Sequence, residues 1–105
     1  MSLDIKIDFD EGKGIWVVLP EGEIDIYTSP ELKSRLVEAL DDKQSDILID
    51  GDRLEYLDST GLGTLISILK KAKESNNRII LKNIKPNIRK LFDITELDKV
   101  FEFEE

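Results

Sequence analysis

Six consecutive residues, Asp58 to Gly63, combine an acid, two hydroxyls and two glycines immediately before an apolar segment. Apolar residues downstream recur at helical spacing, so the sequence predicts that a helix begins here. A helix N-terminus collects backbone N–H groups that have no intrahelical acceptor and carries the positive end of the helix dipole. A serine placed there, Ser59, can cap the helix or can accept a phosphoryl group whose charge the terminus stabilises.

The neighbouring residues bear on both interpretations of Ser59 but do not decide between them. Gly61 and Gly63 each cost about 1 kcal/mol relative to alanine inside a helix, so their presence predicts that something approaches the backbone closely. A phosphoryl group on Ser59 would add about −1.5 to −2 charge and would repel a partner docked on this surface. The residues alone therefore allow a plain N-cap, formed by Asp58 or Ser59, and also a charge-controlled docking site.

Composition narrows the chemistry that is available to the chain. Its 105 residues fit a single domain, and 23 acids against 15 bases give a net charge of −8. Such a surface disfavours nucleic acid and anionic membranes as partners. The absence of cysteine and histidine excludes thiol catalysis, a Ser-His-Asp triad and ordinary zinc sites. With no membrane-length apolar run and no signal peptide, we expect a cytoplasmic protein. With no catalytic base and no metal cluster, we expect a binding module that is not an enzyme and uses no cofactor.

Several familiar site motifs are incomplete. Gly61 and Gly63 begin like a dinucleotide fingerprint, but Ile66 stands where the third glycine belongs. Asp50 ends an apolar strand, as the phosphoacceptor of a receiver domain does, yet the acidic pair and the lysine that complete such a site are not evident. We therefore interpret Asp50 and Asp52 as solvated loop acids and predict no metal site.

The elements that position the hexapeptide alternate between strands and helices. The predicted order is β-β-α-β-α-β-α-β, in which only the first pair of strands is antiparallel and the others are joined by right-handed crossovers. This is an α/β fold. The predicted strands cover residues 5–9, 15–19, 46–50, 78–81 and 100–103, and the predicted helices follow Thr28, Asp58 and Pro86.

Three local features complete this prediction. Residues 20–27 are predicted to form a loop and residues 51–57 a turn. Thr28 and Glu31 have the spacing of a capping box, with Pro30 in the first helical turn. Asn76 and Asn77 are suited to a left-handed stop at the end of the second helix.

Three segments of the sequence resemble those of a known family. The hexapeptide 58–63 resembles the signature of the bacterial anti-sigma-factor antagonists of the STAS superfamily. Residues 22–25, Gly-Glu-Ile-Asp, are similar to the family's Gly-Glu-Leu-Asp loop, and Thr28 begins the next helix. A third match lies in the late helix, at Pro86, Ile88, Arg89, Leu91, Phe92 and Asp93. The three matches follow the family order and cover nearly the whole chain, so a single STAS-like domain over residues 1–105 is expected.

The resemblance implies a right-handed β/α superhelix with a mixed sheet, and it implies partner switching. The unphosphorylated antagonist binds an anti-sigma factor that is also a serine kinase, and this releases the sigma factor. The kinase phosphorylates the antagonist and breaks the complex, and a serine phosphatase reverses the modification. Carried over to this chain, the phosphorylation acceptor is Ser59. The residues implied to bind the partner are Glu23, Asp25, Asp58, Thr60, Gly61 and Leu62.

Some alternatives remain open. Thr60 stands where many members carry a second serine, so it could compete as acceptor, and Glu23 and Asp25 could instead belong to an ordinary solvated loop. Several members carry a further helix after the last strand; the sequence ends at Glu105, from which we expect a barer flank. The alternative function is a stand-alone STAS module in a lipid-transport or stress-signalling assembly, without serine phosphorylation. A receiver-like phosphoaspartate domain is a third hypothesis.

Overall fold

The computed structural model describes residues 2–104 and contains six strands, three α-helices and one short 3-10 helix. The strands are β1 (Leu3–Asp10), β2 (Ile15–Ile24), β3 (Ile47–Asp50), β4 (Leu54–Leu57), β5 (Ile79–Lys82) and β6 (Glu102–Glu104). The helices are α1 (Ser29–Asp42), α2 (Ser59–Lys73) and α3 (Pro86–Ile94), and the 3-10 helix is Leu97–Lys99. No helix among these residues combines the length and the apolar character needed to cross a bilayer.

The sheet has the order β1-β2-β3-β5-β6, and β4 pairs with the far end of β2. Among the described residues only β1 and β2 pair antiparallel, which confirms that prediction. From β2 onward each crossover leads to the next position in the same direction across the sheet. Right-handed crossovers in one direction place all their helices on one face. The fold is thus the right-handed β/α superhelix with a mixed sheet that the resemblance implied.

The core lies between this helix-covered face and the helices. The apolar side of α1 is buried as its spacing predicts, and so is that of α2. Along β2, Trp16 and Val18 are buried, and the apolar residues Ile49 and Leu81 extend the same surface across β3 and β5. At the far edge, the ring of Phe92 in α3 packs edge-on against two aromatic residues that follow it in the chain.

The predicted loop over residues 20–27 is wrong for residues 20–24, because β2 continues to Ile24. The N-terminal strand β1 pairs with β2 as far as Leu3 opposite Gly22, and this non-local partner extends the strand. Pro20 is tolerated where β2 has passed its last pairing with β3, at Val18, and has not yet begun its pairing with β4. A missing N–H therefore interrupts no ladder on that side.

The predicted turn over residues 51–57 contains a strand that the sequence pattern did not reveal. In β4 only Leu54 and Leu57 are buried, so the alternation typical of a strand is absent. The other boundaries shift by one or two residues: β3 and β5 begin one residue later than predicted. The last strand is confined to Glu102–Glu104. The left-handed stop after α2 is confirmed at Asn76, whose φ is 59°.

Candidate functional site

Asp58 caps α2. Its carboxylate Oδ1 accepts a hydrogen bond from the Gly61 N–H at 2.8 Å, and its backbone oxygen accepts one from the Leu62 N–H at 2.9 Å. Its own N–H donates to the backbone oxygen of Ile24 at 3.2 Å, which fixes the helix start to the end of β2. Of the two cap candidates in the sequence, Asp58 is therefore the residue that caps the helix.

Ser59 occupies the first helical position and is exposed, as is Thr60 beside it. Neither hydroxyl has a hydrogen-bond partner among residues 2–104, and neither backbone N–H has an acceptor there. The last turn of the helix carries Lys70, Lys71 and Lys73, whereas the first turn contains no acid. The α2 terminus thus combines an exposed serine hydroxyl, two available N–H donors and the positive end of the helix dipole.

The two glycines of the hexapeptide differ in what surrounds them. A Cβ on Gly61 would lie 2.6 Å from Leu57 Cδ1 and 2.7 Å from both Cγ2 and the backbone oxygen of Ile24. The close approach predicted at this glycine therefore comes from the chain itself. A Cβ on Gly63 would meet no atom within 4 Å. Gly63 is exposed, so any close approach there has to come from another molecule.

This contrast gives a prediction for two otherwise identical substitutions. Gly61→Ala should lower the free energy of unfolding by about 1–3 kcal/mol, because the added methyl overpacks a contact made partly by backbone. Gly63→Ala should raise it by about 0.5–1 kcal/mol, because the added methyl meets open space and restricts the unfolded chain. Chemical denaturation of both variants checks the pair, and equal effects would contradict this packing.

A backbone irregularity in β2 sets the position of Glu23. The pairing of β2 with β4 shifts register between Gly22 and Glu23, where Gly22 has a φ of +119°. A side chain at Gly22 would collide with the backbone oxygen of Ser2, so glycine is required at this bulge. After the shift Glu23 pairs with Tyr56. Its Oε1 is buried and has no hydrogen-bond partner among the described residues.

Asp25 organises the turn between β2 and α1. Its side chain is buried, and Oδ1 accepts hydrogen bonds from the N–H groups of Tyr27 at 2.9 Å and Thr28 at 3.0 Å. Its backbone oxygen accepts from the N–H and the hydroxyl of Ser29. The solvated-loop alternative is therefore wrong for Asp25, because this carboxylate is a structural acceptor inside a closed turn.

The predicted capping box is also wrong. Thr28 is the N-cap residue of α1 and Pro30 lies in the first turn, but the Thr28 side chain makes no capping hydrogen bond. Its hydroxyl instead donates to the backbone oxygen of Glu23 at 2.8 Å and accepts from the Asp25 N–H at 2.9 Å. Glu31 is exposed. Thr28 thus joins β2 to α1, and the turn competes successfully for its hydroxyl.

Three exposed apolar side chains lie beside these residues and were missed by the sequence interpretation. Ile26 is 59% exposed, Tyr27 is 83% exposed and Tyr56 is 45% exposed. The pairing of Glu23 with Tyr56 brings the β2 end and β4 together, directly before the start of α2. The adjacent pair Ile26-Tyr27 in a segment assigned to a loop was the available signal. We call these three residues, together with Glu23, Ser59 and Thr60, the α2-start surface.

The remaining candidate residues lie outside the α2-start surface. Leu62 is 5% exposed and packs in the core, and Gly61 is buried. Both position the start of α2. Asp50 is half-buried and its Oδ1 accepts from the Asp52 N–H at 3.0 Å and from Asn83 Nδ2 at 3.1 Å, so Asp50 stabilises its turn. Residues 2–104 contain no group of three or more acids placed to hold a metal ion.

The chain is similar to known proteins both in sequence and in structure. The family model described as the STAS domain matches residues 6–105. The anti-sigma-B factor antagonist of Bacillus subtilis (strain 168) is 32% identical over 100 residues, which cover 95% of this chain and 91% of that protein. The crystal structure of an anti-sigma factor antagonist from Mycobacterium paratuberculosis aligns with a TM-score of 0.80 at 29% identity, over 97% of this chain and 85% of that one. Bacillus SpoIIAA in its phosphorylated form aligns with a TM-score of 0.74 at 20% identity, over 97% and 92%.

Proposed function

This chain belongs to the STAS domain family, and from that premise we propose that it is an anti-sigma-factor antagonist whose binding is abolished by phosphorylation of Ser59. In the unphosphorylated state it binds an anti-sigma factor that is also a serine kinase, and the sigma factor is released. The curated relative from Bacillus subtilis carries the name of such an antagonist and aligns over nearly its full length. The protein is thus a regulatory binding protein, and a serine phosphatase restores its active state.

The proposal that Ser59 is the phosphorylation acceptor rests mainly on one observation. Asp58 supplies the cap of α2, so Ser59 is not needed to begin the helix, and its exposed hydroxyl lies beside two N–H groups without acceptors in the described chain. A phosphoryl group on that hydroxyl gains charge-assisted hydrogen bonds locally, without rearrangement of the fold. Bacillus SpoIIAA, which has the same fold, has a structure described as its phosphorylated form, and this supports the proposal.

The α2-start surface also suggests what the anti-sigma factor contributes. The buried Glu23 Oε1 lacks a partner within residues 2–104, and an unpaired carboxylate oxygen favours a cation from the docked protein. The exposed rings of Tyr27 and Tyr56 offer apolar area at low cost in side-chain entropy. Asp58 and Thr60 flank Ser59, while Asp25, Gly61 and Leu62 act by fixing the shape of the surface. Charge on Ser59 would therefore appear within the proposed contact area.

The direct test is phosphorylation by the cognate anti-sigma kinase with ATP, followed by mass spectrometry of the modified peptide. We expect one phosphate, on Ser59, in the wild type and in Thr60→Val, and none in Ser59→Ala. Ser34→Ala serves as the matched control, since Ser34 is an exposed serine on α1. Phosphate on Thr60 or elsewhere, or an unmodified wild type, would refute the assignment.

A second prediction is that Tyr27 contributes to affinity for the anti-sigma factor but not to stability. Tyr27→Ala should weaken binding to the anti-sigma factor about ten-fold, a typical effect of truncating an aromatic anchor. Stability should change little, because the side chain is 83% exposed. Ile94→Ala is the control, since Ile94 is 70% exposed but lies at the C-terminal end of α3. Calorimetric titration compares the two variants, and equal affinities would exclude Tyr27 from the contact.

A further inference from the structure

One face of the sheet carries no helix within the described residues 2–104. All the crossovers after β2 lead in one direction, so α1, α2 and α3 share the opposite face. Strand residues alternate between the two sides: Ile47 and Ile49 are buried under the helices, whereas Leu48 between them is only half-buried. We call the second surface the open face. Its apolar residues are Ile15, Val17, Leu19, Leu48 and Ile80.

The centre of the open face is a continuous apolar row. The strand register places Val17 beside Leu48, and Leu48 beside Ile80. Since neighbouring strands lie about 4.8 Å apart, these three side chains form a stripe about 10 Å long. Parallel strands are normally covered on both faces and consist of uninterrupted apolar residues. β3 and β5 have that composition at 47–49 and 79–81, although only one of their faces is covered by the described chain.

The charged residues around this apolar row are mostly acidic. The row is extended by Asp8, which pairs with Val17, and by Glu102, which pairs with Ile80. The acids on the open face are Asp4, Asp8, Asp10, Glu21, Asp50, Glu102 and Glu104, and the lysines are Lys6 and Lys82. Arg78 offsets part of this excess, but its charge is shared between ion pairs with Asp46 at 2.9 Å and Glu102 at 2.8 Å. A negative rim remains, and it is strongest along β1.

The rim restricts what can cover the row. A second copy of the chain would bring the same acids against it, and anionic lipid or nucleic acid would also be repelled. A cationic partner would be attracted, and an amphipathic helix is the element that brings an apolar stripe between rows of basic side chains. We propose that the open face docks a cationic amphipathic helix of a partner protein. Its apolar side covers Val17, Leu48 and Ile80, and its basic side chains meet the carboxylates of β1.

The apolar row lies at residues 17, 48 and 80 of β2, β3 and β5, whereas the α2-start surface lies at the end of β2, on β4 and at the start of α2. Failure of one proposal is distinguishable from failure of the other, since each has its own variants.

The test uses the ¹⁵N-labelled chain and a synthetic amphipathic helix of leucine and lysine, about 18 residues or five turns long. Titration followed by NMR should shift the amide signals of β1, β2, β3 and β5 and leave the start of α2 unaffected. Leu48→Thr combined with Ile80→Thr should weaken binding about ten-fold. Asp4→Asn combined with Asp8→Asn leaves the apolar row intact and should weaken it about five-fold. The matched control, Glu38→Gln combined with Asp42→Asn on α1, should stay within about two-fold of wild type.

Circular dichroism confirms that each variant is folded before titration. The proposal is overturned if the peptide does not bind, if its shifts map to the α2-start surface, or if the charge variants on β1 and α1 weaken binding equally. Concentration-dependent self-association that Leu48→Thr and Ile80→Thr abolish, measured by sedimentation, would also overturn it, because the occupant would then be a second copy.

Discussion

Ser59→Asp is expected to weaken binding to the anti-sigma factor by about 30- to 100-fold, which corresponds to about 2–3 kcal/mol. The added carboxylate lies at the first position of α2, next to Asp58 and within the α2-start surface. A partner that supplies a desolvated contact there meets new charge and new bulk. The stability of the free protein should not fall, because an acid in the first helical turn interacts favourably with the dipole by about 0.3–1 kcal/mol. Calorimetric titration and thermal unfolding of the same sample measure both quantities.

Two controls separate this effect from a general response to charge. Ser34→Asp adds the same charge at an exposed position on α1 and should leave the affinity within about two-fold. Ser59→Ala removes the hydroxyl without adding charge and should also bind like the wild type. If Ser59→Asp and Ser59→Ala bound equally well, charge at this position would have no part in the switch.

Asp25→Ala is expected to lower the free energy of unfolding by about 2–4 kcal/mol. The substitution leaves the N–H groups of Tyr27 and Thr28 without their acceptor inside a closed turn, and each unsatisfied group costs about 1–3 kcal/mol. The same turn holds Tyr27 on the α2-start surface, so binding should weaken even at temperatures where the variant is folded. Urea denaturation measures the first effect and calorimetric titration the second.

The comparison with Glu31→Ala makes this prediction specific. A capping box would make Glu31 a partner of Thr28, but the Thr28 hydroxyl bonds to the β2–α1 turn and Glu31 is exposed. Glu31→Ala should therefore cost less than about 1 kcal/mol, mainly from the helix dipole. Asp25→Asn retains one carbonyl acceptor and should fall between the two alanine variants. A larger loss for Glu31→Ala than for Asp25→Ala would contradict the observed turn.

The helices and the core could be predicted from the sequence because their signals are local. The spacing of Leu32, Leu36 and Leu40 predicts one buried side of α1, and these residues are buried. The start of α2 was likewise predictable from Asp58 and the apolar spacing that follows. The direction of strand pairing followed from the alternation of strands and helices.

What could not be predicted depends on pairing between distant segments. The extension of β2 to Ile24 requires β1 on one side and β4 on the other, and neither partner is visible in the local pattern. For the same reason the sequence predicts a capping-box hydrogen bond for Thr28, since the acceptor on Glu23 becomes available only when the β2 end is a strand. The identity of the helix cap was left open between Asp58 and Ser59, and only the geometry decides it. The assignment of the cap to Asp58 matters most for function, because the Ser59 hydroxyl then has no structural role among the described residues.

We propose that a phosphoryl group on Ser59 controls partner binding while the fold stays intact. The most direct measurement is a calorimetric titration of the anti-sigma factor with the same protein before phosphorylation, after it, and after treatment with a serine phosphatase. We expect an affinity at least about 100-fold lower in the phosphorylated state and full recovery after dephosphorylation, with unchanged far-ultraviolet circular dichroism throughout. Equal affinity of the phosphorylated and unphosphorylated protein would contradict it.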